Sequence, residues 1–379
     1  MVFKNDFIPN YLEKLFLRTC KYININLQYC KVLQIINIDC CEELKIQNGI
    51  IPSQLRILQA NKIQNLKLCV KNCIKLEEIH LDQSSEIKID GLPPNLLYFS
   101  AQNSNITGVN IANSLLLEKL YLTNCQQYKQ EPIYFNPTNT KLTSLNVPGT
   151  NILLTSALLP DTLIQADFSN SNIKHLDLTI AESLQVLKCR NSDNLRFSNS
   201  FIPTFVFSLQ LIHCNVQNLD LRNCSQLKTF ILIQKQQIQL VNDYIPYCVK
   251  YLNIGDNVIS QLNLTQFNSL TDLTITASQI SLFKGFLPAN MQKLEIHESV
   301  ININLQQQKW PFIIENISSD IAFTNNFIPF WFEDHYRSNT RYRNIRFKIL
   351  LDIQAMIQQI NTVQFEVESE IAKCNRFIF

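Results

Sequence analysis

The sequence predicts a repeat-built solenoid of the α/β class, rich in extended segments, with about fourteen units of some 21 residues and a helical C-terminal cap. Three observations predict it. A six-residue template, L-x-x-L-x-L, recurs at nearly constant spacing. A second apolar pair with a period of two follows it in each unit. After residue 327 a helical period replaces both.

The first positions of the template are Leu12, Leu33, Leu55, Leu76, Leu96, Leu117, Leu142, Leu163, Leu184, Val206, Leu227, Val249, Leu270 and Met291. They lie 20 to 22 residues apart, with one gap of 25 that holds the Pro-bearing stretch 130–137. An irregular loop would not keep that register over most of a chain. Within the template, pairs such as Leu15/Leu17 and Leu252/Ile254 alternate with polar neighbours, the pattern of a short strand with one buried face.

Three residues after each such pair stands a small side chain, Cys20, Cys41, Ser84, Ser104, Cys125, Thr150, Ser171, Ser192, Cys214, Asn257, Ser278 or Ser299, with Ile63 and Lys235 as the exceptions. The chain turns inward there, and backbone groups that lose sheet partners need a short polar side chain. A second pair follows, as in Ile23/Ile25, Leu66/Leu68, Ile87/Ile89 and Leu219/Leu221. Its period of two predicts extended chain on the outer side.

Three residues before the first leucine, seven units carry Pro9, Pro52, Pro93, Pro160, Pro203, Pro246 and Pro288; intervening units carry Cys30, Cys73, Ser114, Ala181, Cys224 or Phe267. The structural period is therefore a doubled unit. Proline cannot donate to a ladder, so it belongs just outside the strand. Residues 1–310 are read as the solenoid, 311–326 as a linker and 327–379 as the cap, where Ile349, Ile353, Met356, Ile357, Ile360, Val363 and Val367 recur at helical spacing.

Segments such as Leu12-Glu13-Lys14-Leu15-Phe16-Leu17-Arg18-Thr19-Cys20 and Val249-Lys250-Tyr251-Leu252-Asn253-Ile254-Gly255-Asp256-Asn257 resemble the leucine-rich-repeat family. The Leu92-Pro93-Pro94-Asn95-Leu96 and Leu159-Pro160-Asp161-Thr162-Leu163 segments are similar to its short-repeat subclass. The resemblance covers residues 7 to 305 and departs from the family pattern where serine or cysteine replaces asparagine. It implies a curved solenoid with a parallel sheet on the concave side and a role as a protein-binding scaffold or adaptor.

The chain is 46% hydrophobic and 17% charged with a formal net charge of +2, which excludes a disordered chain and a whole-chain basic field for nucleic acid. No apolar run is long enough to span a bilayer, and the start, Met1 to Pro9, carries no signal-peptide profile, so the expectation is a cytoplasmic protein. Seven of the 12 cysteines fall in two repeat positions, Cys30, Cys73 and Cys224 in one and Cys20, Cys41, Cys125 and Cys214 in the other. They read as reduced core thiols, and not as part of a metal site built on the local cluster Cys69, Cys73 and His80. The histidines have no ligand spacing, and there is no phosphate loop, nucleophile elbow or paired-carboxylate motif. The expectation is no catalysis, no cofactor and no metal.

The candidate binding residues are those the template points out of the concave face: Tyr98, Lys119, Tyr121, Asp167, Lys188, Arg190 and Tyr251. Exposed tyrosine beside cations is the composition of protein-binding hot spots, so a protein partner is expected. The alternative is contact with nucleic acid or an acidic partner through Arg337, Arg341, Arg343, Arg346 and Lys348, interleaved with Tyr336 and Tyr342.

Overall fold

The computed structural model describes residues 8–323 apart from 47–50, 108–110, 112–113, 128–132, 136–140, 151, 155–158, 172, 194, 198–201, 215–218, 220, 235–244, 256–263, 265, 277–278, 287, 289, 298–299, 305–312 and 318–319. The expected helical cap at 327–379, with the basic cluster Arg337, Arg341, Arg343, Arg346 and Lys348, lies outside the described residues.

One parallel sheet of fifteen strands forms the face of the molecule. Its strands are Lys14–Phe16, Ile35–Asn37, Ile57–Gln59, Glu78–His80, Tyr98–Ser100, Lys119–Tyr121, Ser144–Asn146, Gln165–Asp167, Val186–Arg190, Ser208–Ile212, Thr229–Ile233, Tyr251–Gly255, Asp272–Thr276, Lys293–His297 and Ile313–Ile317. Up to Lys293–His297, each begins two residues after a first position of the template. Each strand pairs in register with the next, so template leucines stack. Leu15 lies beside Ile36, Leu58, Ile79 and Phe99 in succession, and all five are buried. From Val186–Arg190 onward the strands lengthen from three residues to five.

The sequence read 311–326 as a linker, but the strands Ile313–Ile317 and Asp320–Phe323 there pair parallel onto Lys293–His297 and Val300–Asn304. The repeat therefore continues into that stretch. Register places Ile314 beside Leu294 but Asn316 beside Ile296, and Pro311 stands at the first template position, so two of the three template residues are not aliphatic.

The second apolar pairs form short outer strands, among them Tyr22–Ile25 with Glu43–Ile46, and a four-stranded ribbon made of Lys67–Leu68, Ile87–Ile89, Asn105–Thr107 and Gln126–Gln127. All regular structure among the described residues is strand. Two extended segments and two reversals use up a 21-residue unit and leave no room for a helical crossover.

The doubled period has a hydrogen-bond cause. Each first position of the template other than Leu142 closes a tight turn onto the carbonyl three residues earlier, as in Leu55 N to Pro52 O at 3.1 Å and Leu76 N to Cys73 O at 2.9 Å. In the proline-free units the residue at that earlier position donates one turn further back: Cys30 to Leu27, Cys73 to Val70, Ser114 to Ile111, Ala181 to Leu178 and Cys224 to Leu221. Proline has no amide with which to make this second turn. Units with two tandem turns therefore alternate with units that have one.

Leaving the sheet, the chain reverses through a residue at positive φ in each of the first ten units: Thr19, Cys40, Lys62, Gln83, Asn103, Asn124, Gly149, Asn170, Asn191 and His213. Asparagine and glycine tolerate this left-handed geometry best, and they fill half of these places. Next in sequence come the small residues, several of which play the expected role, while the buried Ser171 hydroxyl has no hydrogen-bond partner among the described residues. Ser84 Oγ accepts from the Ile63 amide at 3.1 Å and donates to Ala60 O at 3.0 Å, and Ser104 Oγ donates to Leu81 O at 2.7 Å. Ser192 and Cys214 bond the same way to Phe168 O and Cys189 O.

Candidate protein-binding face

On the sheet face, register sorts the outward residues into columns. The first column runs Glu78, Tyr98, Lys119, Ser144, Gln165, Val186; the second runs His80, Ser100, Tyr121, Asn146, Asp167, Lys188. Tyr98 and Lys119 are direct neighbours, and Tyr121 sits diagonally from Tyr98 on the same strand as Lys119. Asp167 and Lys188 are also direct neighbours, two strands beyond Tyr121. Arg190 lies further along the Lys188 strand, where its guanidinium meets Gln210 Oε1. Tyr251 lies three strands further on, its hydroxyl 3.4 Å from Thr274 Oγ1. The sequence-predicted residues thus share one face but form two groups and an outlier.

The first group is richer than the sequence suggested. Ser100 is small and fully buried, and three rings close in around its position. Tyr98 leans across the columns onto His80, with ring centroids 4.5 Å apart and planes 29° from parallel. Its other neighbour, Tyr121, is 5.6 Å away at 52°. Diagonal partners across strands are within reach of aromatic side chains. Polar contacts fix the surround: Glu78 Oε2 lies 3.1 Å from His80 Nε2, Ser100 Oγ donates to Asp82 Oδ1 at 2.6 Å, and Ser144 Oγ donates to the Tyr121 hydroxyl at 3.2 Å. Partial burial pushes the Tyr98 phenol above its ordinary pKa, and the nearby Asp82, Tyr121 and Glu78 push the same way against the hydrogen bond from Ser100.

Sequence reasoning missed His80, Glu78 and Asp82 as members of this cluster. The column rule that selected Tyr98 would have found the first two had it been applied to the preceding unit. It also missed an apolar patch on the widened part of the sheet. Ile212 and Ile233 are direct neighbours, and Ile231 lies on the Ile233 strand, with Arg190 beside Ile212. All three isoleucines are half-buried. Phe205 and Phe207, at the edge where the chain enters the sheet, are 59% and 42% exposed, an apolar margin to the same region.

The cysteines behave as core. All eleven described ones are free, and Cys30, Cys41, Cys73, Cys125, Cys189, Cys214 and Cys224 are buried. Burial raises the thiol pKa of Cys73 and Cys214 to about 11 and that of Cys125 to about 12. Cys73 donates to Ile51 O, while His80 faces the opposite side of the sheet, so the sequence neighbours Cys69, Cys73 and His80 do not converge. Among the described residues no group of three His, Cys, Asp or Glu side chains could hold a metal, and no helix is long and apolar enough to cross a membrane.

No family model and no curated protein matches the sequence. Solved structures do match the fold. An internalin from Listeria monocytogenes aligns with a TM-score of 0.55 at 18% identity, covering 84% of this chain and 88% of its own. A leucine-rich-repeat protein of Leptospira interrogans aligns at 0.52 and 14% identity, covering 84% and 87%. A chain of the LRIM1/APL1C complex aligns at 0.51 and 12% identity, covering 93% and 73%. Register, turn ladder and structural likeness lead to one conclusion: this chain is a parallel β-solenoid with the leucine-rich-repeat fold.

Proposed function

We propose that this protein is a non-enzymatic scaffold or adaptor of the cytoplasm that grips a protein partner on its sheet face. The observation that supports this most strongly is the outward cluster of Tyr98, Tyr121 and His80 beside Lys119. Tyrosine rings immobilised by stacking lose little entropy on binding, which is how hot spots gain affinity. Asp167, Lys188 and Arg190, and then the apolar patch at Ile231, extend the surface along the sheet. Free buried thiols accord with a reducing compartment.

The test is affinity purification with mass spectrometry from the native cell, comparing wild type with Tyr98→Ala/Lys119→Ala/Tyr121→Ala checked for folding by circular dichroism. A dominant protein that disappears with the variant supports the reading. Unchanged partners count against it and in favour of contact through the basic segment Arg337 to Lys348.

A further inference from the structure

We propose that the cluster of His80, Tyr98 and Tyr121 with Glu78 and Asp82 is a receptor for an arginine side chain of the protein partner. The inference rests on the sheet-face reading above and specifies the chemistry the partner must present.

Three features point to a guanidinium. The first is flat aromatic surface: Tyr98 is backed by His80 at 4.5 Å, and Tyr121 is inclined to it at 52°, so two phenol faces flank one position on the sheet. Arginine stacks on such faces through both its charge and its plane. The second is negative charge to which no lysine or arginine is bonded. Glu78 lies beside Tyr98 in the same column, its side chain 42% exposed, and His80 meets it as an imidazole that is neutral unless protonated. Asp82 is held in place by Ser100 Oγ and the Gln102 amide at 2.6 and 2.7 Å. Neither carboxylate has a lysine or arginine partner within salt-bridge distance among the described residues; Arg56, whose charge reaches Glu78, is bonded to Glu77 at 2.8 Å. The third is planarity of the hydrogen-bond demand. Carboxylates fixed by neighbouring groups suit the two-pronged donor edge of a guanidinium better than the point charge of an ammonium.

Lys119 sets the direction. It is the register neighbour of Tyr98 on the side away from Glu78, and it is exposed. Positive charge is disfavoured toward Lys119, so the bound segment carries its arginine toward Glu78 and an acidic residue toward Lys119.

The test begins by screening the intact protein against an array of short random peptides. Retained peptides are resynthesised with each arginine replaced by citrulline, its uncharged isostere, and titrated by fluorescence polarisation. Retained peptides should be rich in arginine, and citrulline should weaken them about tenfold or more. Tyr98→Ala should weaken them by about fivefold to thirtyfold. Glu78→Gln should also weaken them, whereas Tyr98→Phe, which keeps the ring, should bind as wild type. Retained peptides that bind equally well as citrulline forms overturn the proposal. If those peptides still depend on Tyr98 and Tyr121, the sheet-face reading survives alone; if no sheet-face substitution affects them, both fall.

Discussion

Gly149 holds, in its unit, the left-handed position that Asn124 holds in the unit before, and a methyl group on Gly149 would fall 2.5 Å from Asn124 Oδ1. The asparagine ladder on this edge, with Asn124 Nδ2 donating to Asn103 Oδ1 at 3.0 Å and Asn191 Nδ2 to Asn170 Oδ1 at 2.9 Å, therefore needs glycine between its two halves.

Gly149→Ala should destabilise the solenoid by about 1–2 kcal/mol or more, from the positive φ and the contact together. In an Asn124→Gly background the contact is gone, and the same substitution should cost measurably less. Urea unfolding of the four proteins in this double-mutant cycle checks the coupling.

Ser84→Ala should cost about 1–3 kcal/mol. It leaves the buried Ile63 amide and Ala60 carbonyl without the hydroxyl that joins two consecutive units. Ser84→Cys should fall between wild type and alanine, since a thiol serves the same position at Cys41 and Cys214. The same unfolding measurement ranks the three.

The buried thiols make stability fall at alkaline pH. Cys73, Cys125 and Cys214 have pKa values raised by burial from 9.0 to about 11, 12 and 11 in the folded chain. Their unfolded forms lose protons first as pH rises. The contribution is therefore fully present below pH 9.0 and is lost as pH climbs through 9.0 toward the folded values, at about 1.4 kcal/mol per thiol per pH unit. Unfolding midpoints between pH 8 and about 10.5 should drop, and Cys73→Ser should lessen the slope. In native protein at neutral pH, iodoacetamide should modify exposed Cys40 before any buried thiol.

Ile231→Ser with Ile233→Ser should lower stability by only about 1–2 kcal/mol in all, because these half-buried side chains face outward and not into the leucine stack. Partner capture should nevertheless weaken. Pull-down of the partner identified with wild type, run beside the unfolding measurement, separates the two effects.

The strands were legible because burial demands aliphatic residues at fixed intervals, and the template leucines mark where each strand starts. The strand Ile313–Ile317 was not legible, since Pro311 and Asn316 occupy template positions although its backbone pairs with Lys293–His297. The left-handed residue of each unit left a visible trace in Asn103, Asn124, Gly149, Asn170 and Asn191, but Lys62 and Gln83 adopt the same geometry without any such signature. At the candidate site, Tyr98, Lys119 and Tyr121 were readable from the period as outward-facing. Their union with His80, Glu78 and Asp82 was not, because the lean of Tyr98 across columns depends on Ser100 being small, and no period encodes that.

The central claim is that the partner lies on the sheet face, and site-specific photocrosslinking tests it most directly. Benzoylphenylalanine placed at Tyr98, Tyr121 or Tyr251 faces the proposed partner; at Lys88, on the outer strand Ile87–Ile89, it faces away. The account predicts crosslinks to one protein from Tyr98 and Tyr121 and none from Lys88. Crosslinks from Lys88, with none from the sheet face, would contradict it.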